Sequence, residues 1–172
     1  DGCFSEYMNK SGFISFSYDP ITNDILKNKF DEKYNIITFW HSLEHIHDID
    51  NTMNNVISYL YPGGYVVVAV PNINAPERNF FESNWAPYDV PRHLYHFDKI
   101  SLTRYFDKYS LQLVSEFSIF LDMIYNIILS CKSSGFLYYF RLLYIIPYLC
   151  IKYLFLSADE KSTLFYVFKL KK

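Results

Sequence analysis

Cysteine is scarce and poorly placed for pairing: Cys3, Cys131 and Cys150 are odd in number and far apart. This excludes a disulfide framework and a cysteine-rich zinc site, and it points to reduced thiols in a cytoplasmic protein. A surplus of positive charge is missing too. Sixteen Lys and Arg face eighteen Asp and Glu, a net charge of -2, so nothing in the balance favours a nucleic-acid partner. No internal repeat or low-complexity run is present. No signal peptide precedes Asp1, and a chain that starts there reads as a fragment. Glycine is sparse, five residues against 17 Tyr and 16 Phe. Such an aromatic content implies large buried faces, and 172 residues suffice for one domain with a core.

Periodicity then divides the chain. Phe4, Tyr7 and Met8 stand at helical spacing and Ser11-Gly12 offers a C-cap. Residues 13–18 (FISFSY) read as a strand closed by Asp19-Pro20. Residues 35–40 (NIITFW) form a short apolar run of the kind buried on both faces of a parallel sheet. Met53, Val56, Ile57 and Leu60 mark a helix, ended by Pro62-Gly63-Gly64. Residues 65–70 (YVVVAV) are the clearest strand, stopped by Pro71-Asn72. An irregular stretch over 72–97 follows, long enough to suggest a functional loop. A helix over 101–109, a strand over 112–117 and a last strand over 163–170 complete the pattern. Strands alternating with helices predict an α/β fold with a mostly parallel sheet.

Three segments carry a resemblance. They are Tyr34 to His45 (YNIITFWHSLEH), Tyr61 to Asn72 (YPGGYVVVAVPN) and Asp89 to Phe97 (DVPRHLYHF). In this order and spacing the chain resembles class I S-adenosylmethionine-dependent methyltransferases. It is most similar to the subgroup of ubiquinone-biosynthesis O-methyltransferases and their uncharacterised bacterial relatives. The resemblance implies a Rossmann-like sheet with an antiparallel last strand, here lacking the first strand and the start of the glycine-rich loop. The methyltransferase domain is then expected over 1–118 and 158–172, with an apolar helical insertion over 119–157. The implied cofactor is S-adenosyl-L-methionine. Open parallel sheets bind ligands beyond the carboxyl ends of their strands. On the resemblance, Asp1 and Gly2 form the tail of the loop, Asp19 accepts hydrogen bonds from the ribose hydroxyls, and Trp40 and His41 line the cofactor site. Asp19-Pro20 is otherwise an ordinary turn.

His41, Glu44 and His45 formally match an H-x-x-E-H zinc-protease pattern, but they stand at a strand end where that motif needs a long helix. In the quinone-methylating relatives two acids and a histidine at this turn hold a divalent cation. Glu44 and His45 match that set, and His41 replaces the first acid. Magnesium prefers oxygen ligands, so the expectation is no metal, with Glu44 and His45 orienting the turn. His93 or His41 is the candidate catalytic base, titrating near neutrality without tuning. Arg92 is the candidate to hold an acceptor carboxylate or phosphate, and Trp85 and Tyr88 to wall its pocket. The alternative is that Arg92 and His93 pin the loop and the aromatics anchor it as a satellite core.

The insertion holds a 21-residue stretch, 136–156, whose charges are Arg141 and Lys152, with Pro147 near its middle. A buried helical cap is the first expectation, contact with a membrane face or a second copy the next, and a true span the last. The function expected is methyl transfer to an oxygen or nitrogen of a small or lipid-linked acceptor. Its rival is a truncated, non-catalytic paralogue acting as an interaction or membrane-associated module.

Overall fold

The computed structural model describes residues 2–18, 33–134 and 137–171. The chain forms two compact units, Asp1–Lys33 and Tyr34–Lys172. In the first, helix α1 (Cys3–Lys10) follows Gly2, whose φ of 72° is left-handed. The helix ends as its sequence suggests. Gly12 takes φ 88°, its N–H donates to Asn9 O, and Phe13 N–H donates to Met8 O. These two bonds satisfy carbonyls that a helix end leaves open. Residues 13–18, expected as a strand, join no sheet among the described residues. The Asn9 side chain grips Ser15 instead, donating to its carbonyl and accepting from its N–H, both at 2.9 Å. A side chain thus takes the backbone groups that a strand would offer a neighbour.

The second unit is a four-stranded sheet in the order β1-β2-β4-β3, formed by β1 (Tyr34–Trp40), β2 (Leu60–Pro71), β3 (Leu111–Phe117) and β4 (Thr163–Leu170). β1 and β2 are parallel, and β4 is antiparallel to both β2 and β3. Three strands therefore run one way and the last runs against them, the Rossmann-like α/β arrangement anticipated. Helix α2 (Ile49–Tyr59) makes the crossover from β1 to β2, with Asp48 capping its start by accepting from Asn51 N–H at 3.0 Å. β1 departs from expectation: at the edge of the sheet formed by the described residues, it buries only Phe39, and Ile36 is 53% exposed.

Strand β2 earns its place by alternation. Val66, Val68 and Val70 share one face and are fully buried with Met53 and Val56 of α2, Leu102 and Phe106 of α4 (Lys99–Asp107), and Tyr166 and Phe168 of β4. The rings of Phe106 and Phe168 stack at 4.3 Å. At the start of β2 the chain bulges over Tyr61 to Gly64, and a Cβ on Gly64 would lie 2.9 Å from Tyr61 O and 3.1 Å from Asn35 O. Only glycine fits there.

Between β2 and α4 lie short helix α3 (Arg78–Phe81) and two helical turns, Glu82–Asn84 and Ala86–Tyr88. The described residues of 119–156 include helices α5 (Phe120–Ser134) and α6 (Leu137–Tyr153). Their Met123, Ile127, Ile145 and Leu149 form a second core with Ala75, Phe81 and Trp85 of the loop after β2. No described helix is long and apolar enough to cross a membrane.

A buried polar chain fastens this layer to the sheet. Tyr153 OH donates to Ser162 Oγ, and Ser162 Oγ donates to Glu77 Oε1. Burial pushes the Glu77 carboxyl above its ordinary value of 4.5, against the lowering effect of the Ser162 bond. The folded state then holds this proton more tightly than the unfolded chain. Stability is fully present below the unfolded value and falls as pH rises through the folded one. Glu77→Gln, an uncharged mimic of the acid, is expected to flatten this decline in urea unfolding followed across pH. A decline of unchanged steepness in the variant would rule Glu77 out as its source.

Candidate active site at the carboxyl ends of the strands

Because β1, β2 and β3 run the same way, the segments that leave them meet at one end of the sheet. There the sequence places His41 to His45 after β1, the 72–97 loop after β2, and α5 after β3. Asn72 fixes the geometry at this end. Fully buried, it donates from Nδ2 to Asp159 O and Lys161 O at 2.8 and 2.7 Å, so it ties the end of β2 to the entry of β4.

His41 continues the ladder by one bond, its N–H donating to Ala69 O at 2.8 Å, and then turns out of the strand with φ 44°. A left-handed backbone on a residue other than glycine is strained, and such strain concentrates at functional sites. Asp89, in the facing loop, has φ 37°. The His41 imidazole lies 3.9 Å from Asp122 and 3.6 Å from Glu44. Asp122 first and Glu44 second hold it in its charged form, raising its pKa from 6.5 to about 9. The same ion pair lowers the pKa of Asp122. At neutral pH His41 is a cation facing two carboxylates, a poor acceptor of a proton.

Glu44 is completely buried, and neither carboxylate oxygen accepts a hydrogen bond. Its backbone carbonyl accepts from Leu94 N–H at 2.8 Å and so binds the long loop to the turn after β1. His93 faces it from that loop, Nε2 at 3.9 Å from Glu44 Oε1 and 3.8 Å from Asp89. The other ring nitrogen of His93 lies 2.7 Å from Pro87 O, which fixes its proton on Nδ1. His45 does the same at Arg92 O, 3.0 Å away, and its ring stands edge-on to His93 with centroids 4.6 Å apart. Glu44, His45 and His93 each offer a ligand atom within 4.8 Å of the other two.

The remaining candidates separate. The Arg92 guanidinium is 75% exposed and pairs with Asp89 at 2.7 Å. Trp85 is buried in the second core, edge-on to the half-buried Tyr88 at 5.1 Å. Both aromatics border a hollow of about 700 Å³ with Glu82 and Asp89, open to solvent along 82–90. Trp40 lies at the end of β1, its ring 5.3 Å from Phe165. Gly2 sits in the first unit at the head of α1, its left-handed φ suited to the tail of a glycine-rich loop. Asp1 and Asp19 lie outside the described residues. Asp122 went unnoticed in the sequence, although it is the sole acid between 119 and 157. A lone carboxylate in an apolar helix is the signal that marks it.

A crossover between parallel strands, a reversed last strand and polar side chains gathered beyond the carboxyl ends define a Rossmann-like α/β domain. Residues 1–116, more than half of the chain, match the family model described as a methyltransferase domain. The chain belongs to that family. Among solved structures it is similar to the N-methyltransferase NodS from Bradyrhizobium japonicum WM9, at 15% identity and a TM-score of 0.39. That match covers 92% of this chain, which spans 56% of the NodS chain. Comparison with curated proteins gives no match.

Proposed function

We propose that the protein transfers a methyl group from S-adenosylmethionine to an oxygen or nitrogen of a small or lipid-linked acceptor, as the ubiquinone-type subgroup does with its quinone precursors. The observation that carries this reading is the Glu44–His93 pair at the carboxyl ends of the parallel strands, in a chain of the methyltransferase family. When bound, the cofactor supplies an electrophilic methyl group on a sulfonium, so the protein's task is to position and activate the acceptor. His93 suits activation better than His41. Its Nδ1 is anchored at Pro87 O, which aims Nε2 at the buried Glu44 across the mouth of the site. Within the second unit, Trp40 and His41 at the end of β1 are the residues assigned to the cofactor. Titration with S-adenosylhomocysteine in a calorimeter tests the reading, with saturable one-to-one binding expected. A folded chain that gives no heat at millimolar product would defeat it.

The lipid-linked acceptor finds support in the outer faces of α5 and α6. Leu121, Tyr125, Leu143, Tyr148 and Ile151 are all exposed, as is Leu154 just past the end of α6. Lys132 and Lys152 lie among them, while the one acid of these helices, Asp122, turns to His41. Tyrosine, aliphatic and lysine side chains together are the makeup of a helix lying on an anionic lipid surface. The protein is expected to float with vesicles containing anionic lipid, and Leu143→Asp with Leu154→Asp to abolish flotation. Failure to float, combined with a dimer in sedimentation, would assign the face to a second copy.

A further inference from the structure

From the hollow along 82–90, with its two carboxylates, its tyrosine ring and its orphaned indole N–H, we infer that the protein binds an amino alcohol there. The protonated amine is set against Glu82 and Asp89, and a ligand oxygen accepts from Trp85 Nε1. The role of this ligand as methyl acceptor rests on the proposed methyl-transfer reading; its binding does not.

The hollow has the size and the charge for such a ligand. Its volume of about 700 Å³ lies within the roughly 300–1,000 Å³ of small-molecule sites. Its charged lining residues are both acids, Glu82 and Asp89. Arg92, which does not line it, takes Asp89 Oδ1 with Nε at 3.0 Å and Nη2 at 2.7 Å. Asp89 Oδ2 lies 3.8 Å from His93 Nε2, so the same carboxylate joins the hollow to the candidate base. Among the described residues no Lys or Arg pairs with Glu82. The lining therefore carries more negative charge than its neighbours cancel, and a small cation compensates it. Half-buried Tyr88 adds a ring whose face attracts a cation.

Trp85 supplies an observation independent of the acids. It lines the hollow yet is 1% exposed, and its Nε1–H is buried with no hydrogen-bond partner. A buried indole N–H normally finds an acceptor, and leaving it unpaired is costly. Because the indole can only donate, its partner must bring an oxygen lone pair. An amine alone would compensate the acids and leave the indole orphaned. An alcohol alone would do the opposite. One molecule carrying both groups answers both needs. Its protonated nitrogen has no lone pair, so the contact with the acids recognises the ligand, and activation stays with His93. Arg92, expected from the sequence to hold an acceptor anion, instead competes with the ligand for Asp89.

The test uses the full chain labelled with heavy nitrogen, whose two tryptophans, Trp40 and Trp85, give two indole N–H signals by nuclear magnetic resonance. Trp85→Phe assigns them. Three probes share a cyclohexane ring: the vicinal amino alcohol, the amine alone and the vicinal diol. The amino alcohol is expected to shift the Trp85 signal saturably, with an affinity at least about tenfold above either partial probe. Glu82→Gln is expected to weaken the amino alcohol about tenfold and leave the diol unchanged. Arg92→Gln is expected to tighten it a few fold by releasing Asp89. Glu82 and Arg92 are exposed, and circular dichroism reports that both variants fold. A diol that binds as tightly as the amino alcohol, a Trp85 signal that no probe moves, or weaker binding in Arg92→Gln would each overturn the proposal. Amino alcohol bound at Trp85 in a chain that transfers no methyl group to any acceptor would sink the methyl-transfer reading and leave this site standing. Methylation of a neutral acceptor by a chain that binds none of the probes would do the reverse.

Discussion

His93→Ala is expected to lower kcat/KM for methyl transfer by at least about a hundredfold, equal to about 2.7 kcal/mol of transition-state stabilisation. S-adenosylhomocysteine affinity is expected to change by no more than a few fold. The asymmetry follows from position. His93 projects from the 72–97 loop onto Glu44, and its contacts are Pro87 O, Glu44, Asp89 and the rings of His45 and His96. None of these is assigned to the cofactor, so the loss belongs to the acceptor side. Removing the ring also strands Glu44, already without a hydrogen bond. A folding comparison by thermal melting therefore accompanies the kinetics. Turnover equal to wild type in a folded His93→Ala protein would remove this residue from the chemistry.

The largest effect on stability is expected at Trp85. It is 1% exposed and lies in the second core, joining the loop after β2 to Met123 and Ile127 of α5. Trp85→Ala deletes an indole that nothing nearby can replace, at a cost of about 3–5 kcal/mol. Trp85→Phe keeps most of the apolar volume and is expected to lose far less. Its Nε1 accounts for little, because it has no hydrogen-bond partner to lose. Activity is expected to fall with stability, since Ala86 N–H, one residue on, is held by Ser130 Oγ at 2.8 Å and the same loop carries His93. Urea unfolding followed by circular dichroism measures the difference. A loss under about 1 kcal/mol would show that α5 and α6 do not depend on this anchor.

The strands of the second unit were legible because their patterns are local. YVVVAV alternates onto one buried face whatever surrounds it, and FISFSY alternates too. The latter misled because Asn9 takes the backbone of Ser15, a choice that no periodicity reveals. NIITFW looked buried on both faces, yet β1 stands at the edge of the described sheet, and edge position depends on topology rather than on composition. The site was readable as residue types but not as partnerships. His41, Glu44 and His45 are neighbours in sequence, and their spacing drew attention to a histidine for the acid. That His93 and not His41 completes the cluster depends on a loop returning to Glu44 through Leu94 N–H. Asp122 and Glu77 were hidden for the same reason. Each gains its meaning from a partner far along the chain, His41 for one and Ser162 for the other.

The most direct test of the central claim uses S-adenosylmethionine labelled in its methyl group, incubated with the purified full chain and an extract of small molecules and lipids. Label is expected to pass into an extractable acceptor in proportion to enzyme, and to fall at least about a hundredfold with His93→Ala. Folded protein that binds neither S-adenosylmethionine nor S-adenosylhomocysteine, and moves no label into any fraction, would contradict it.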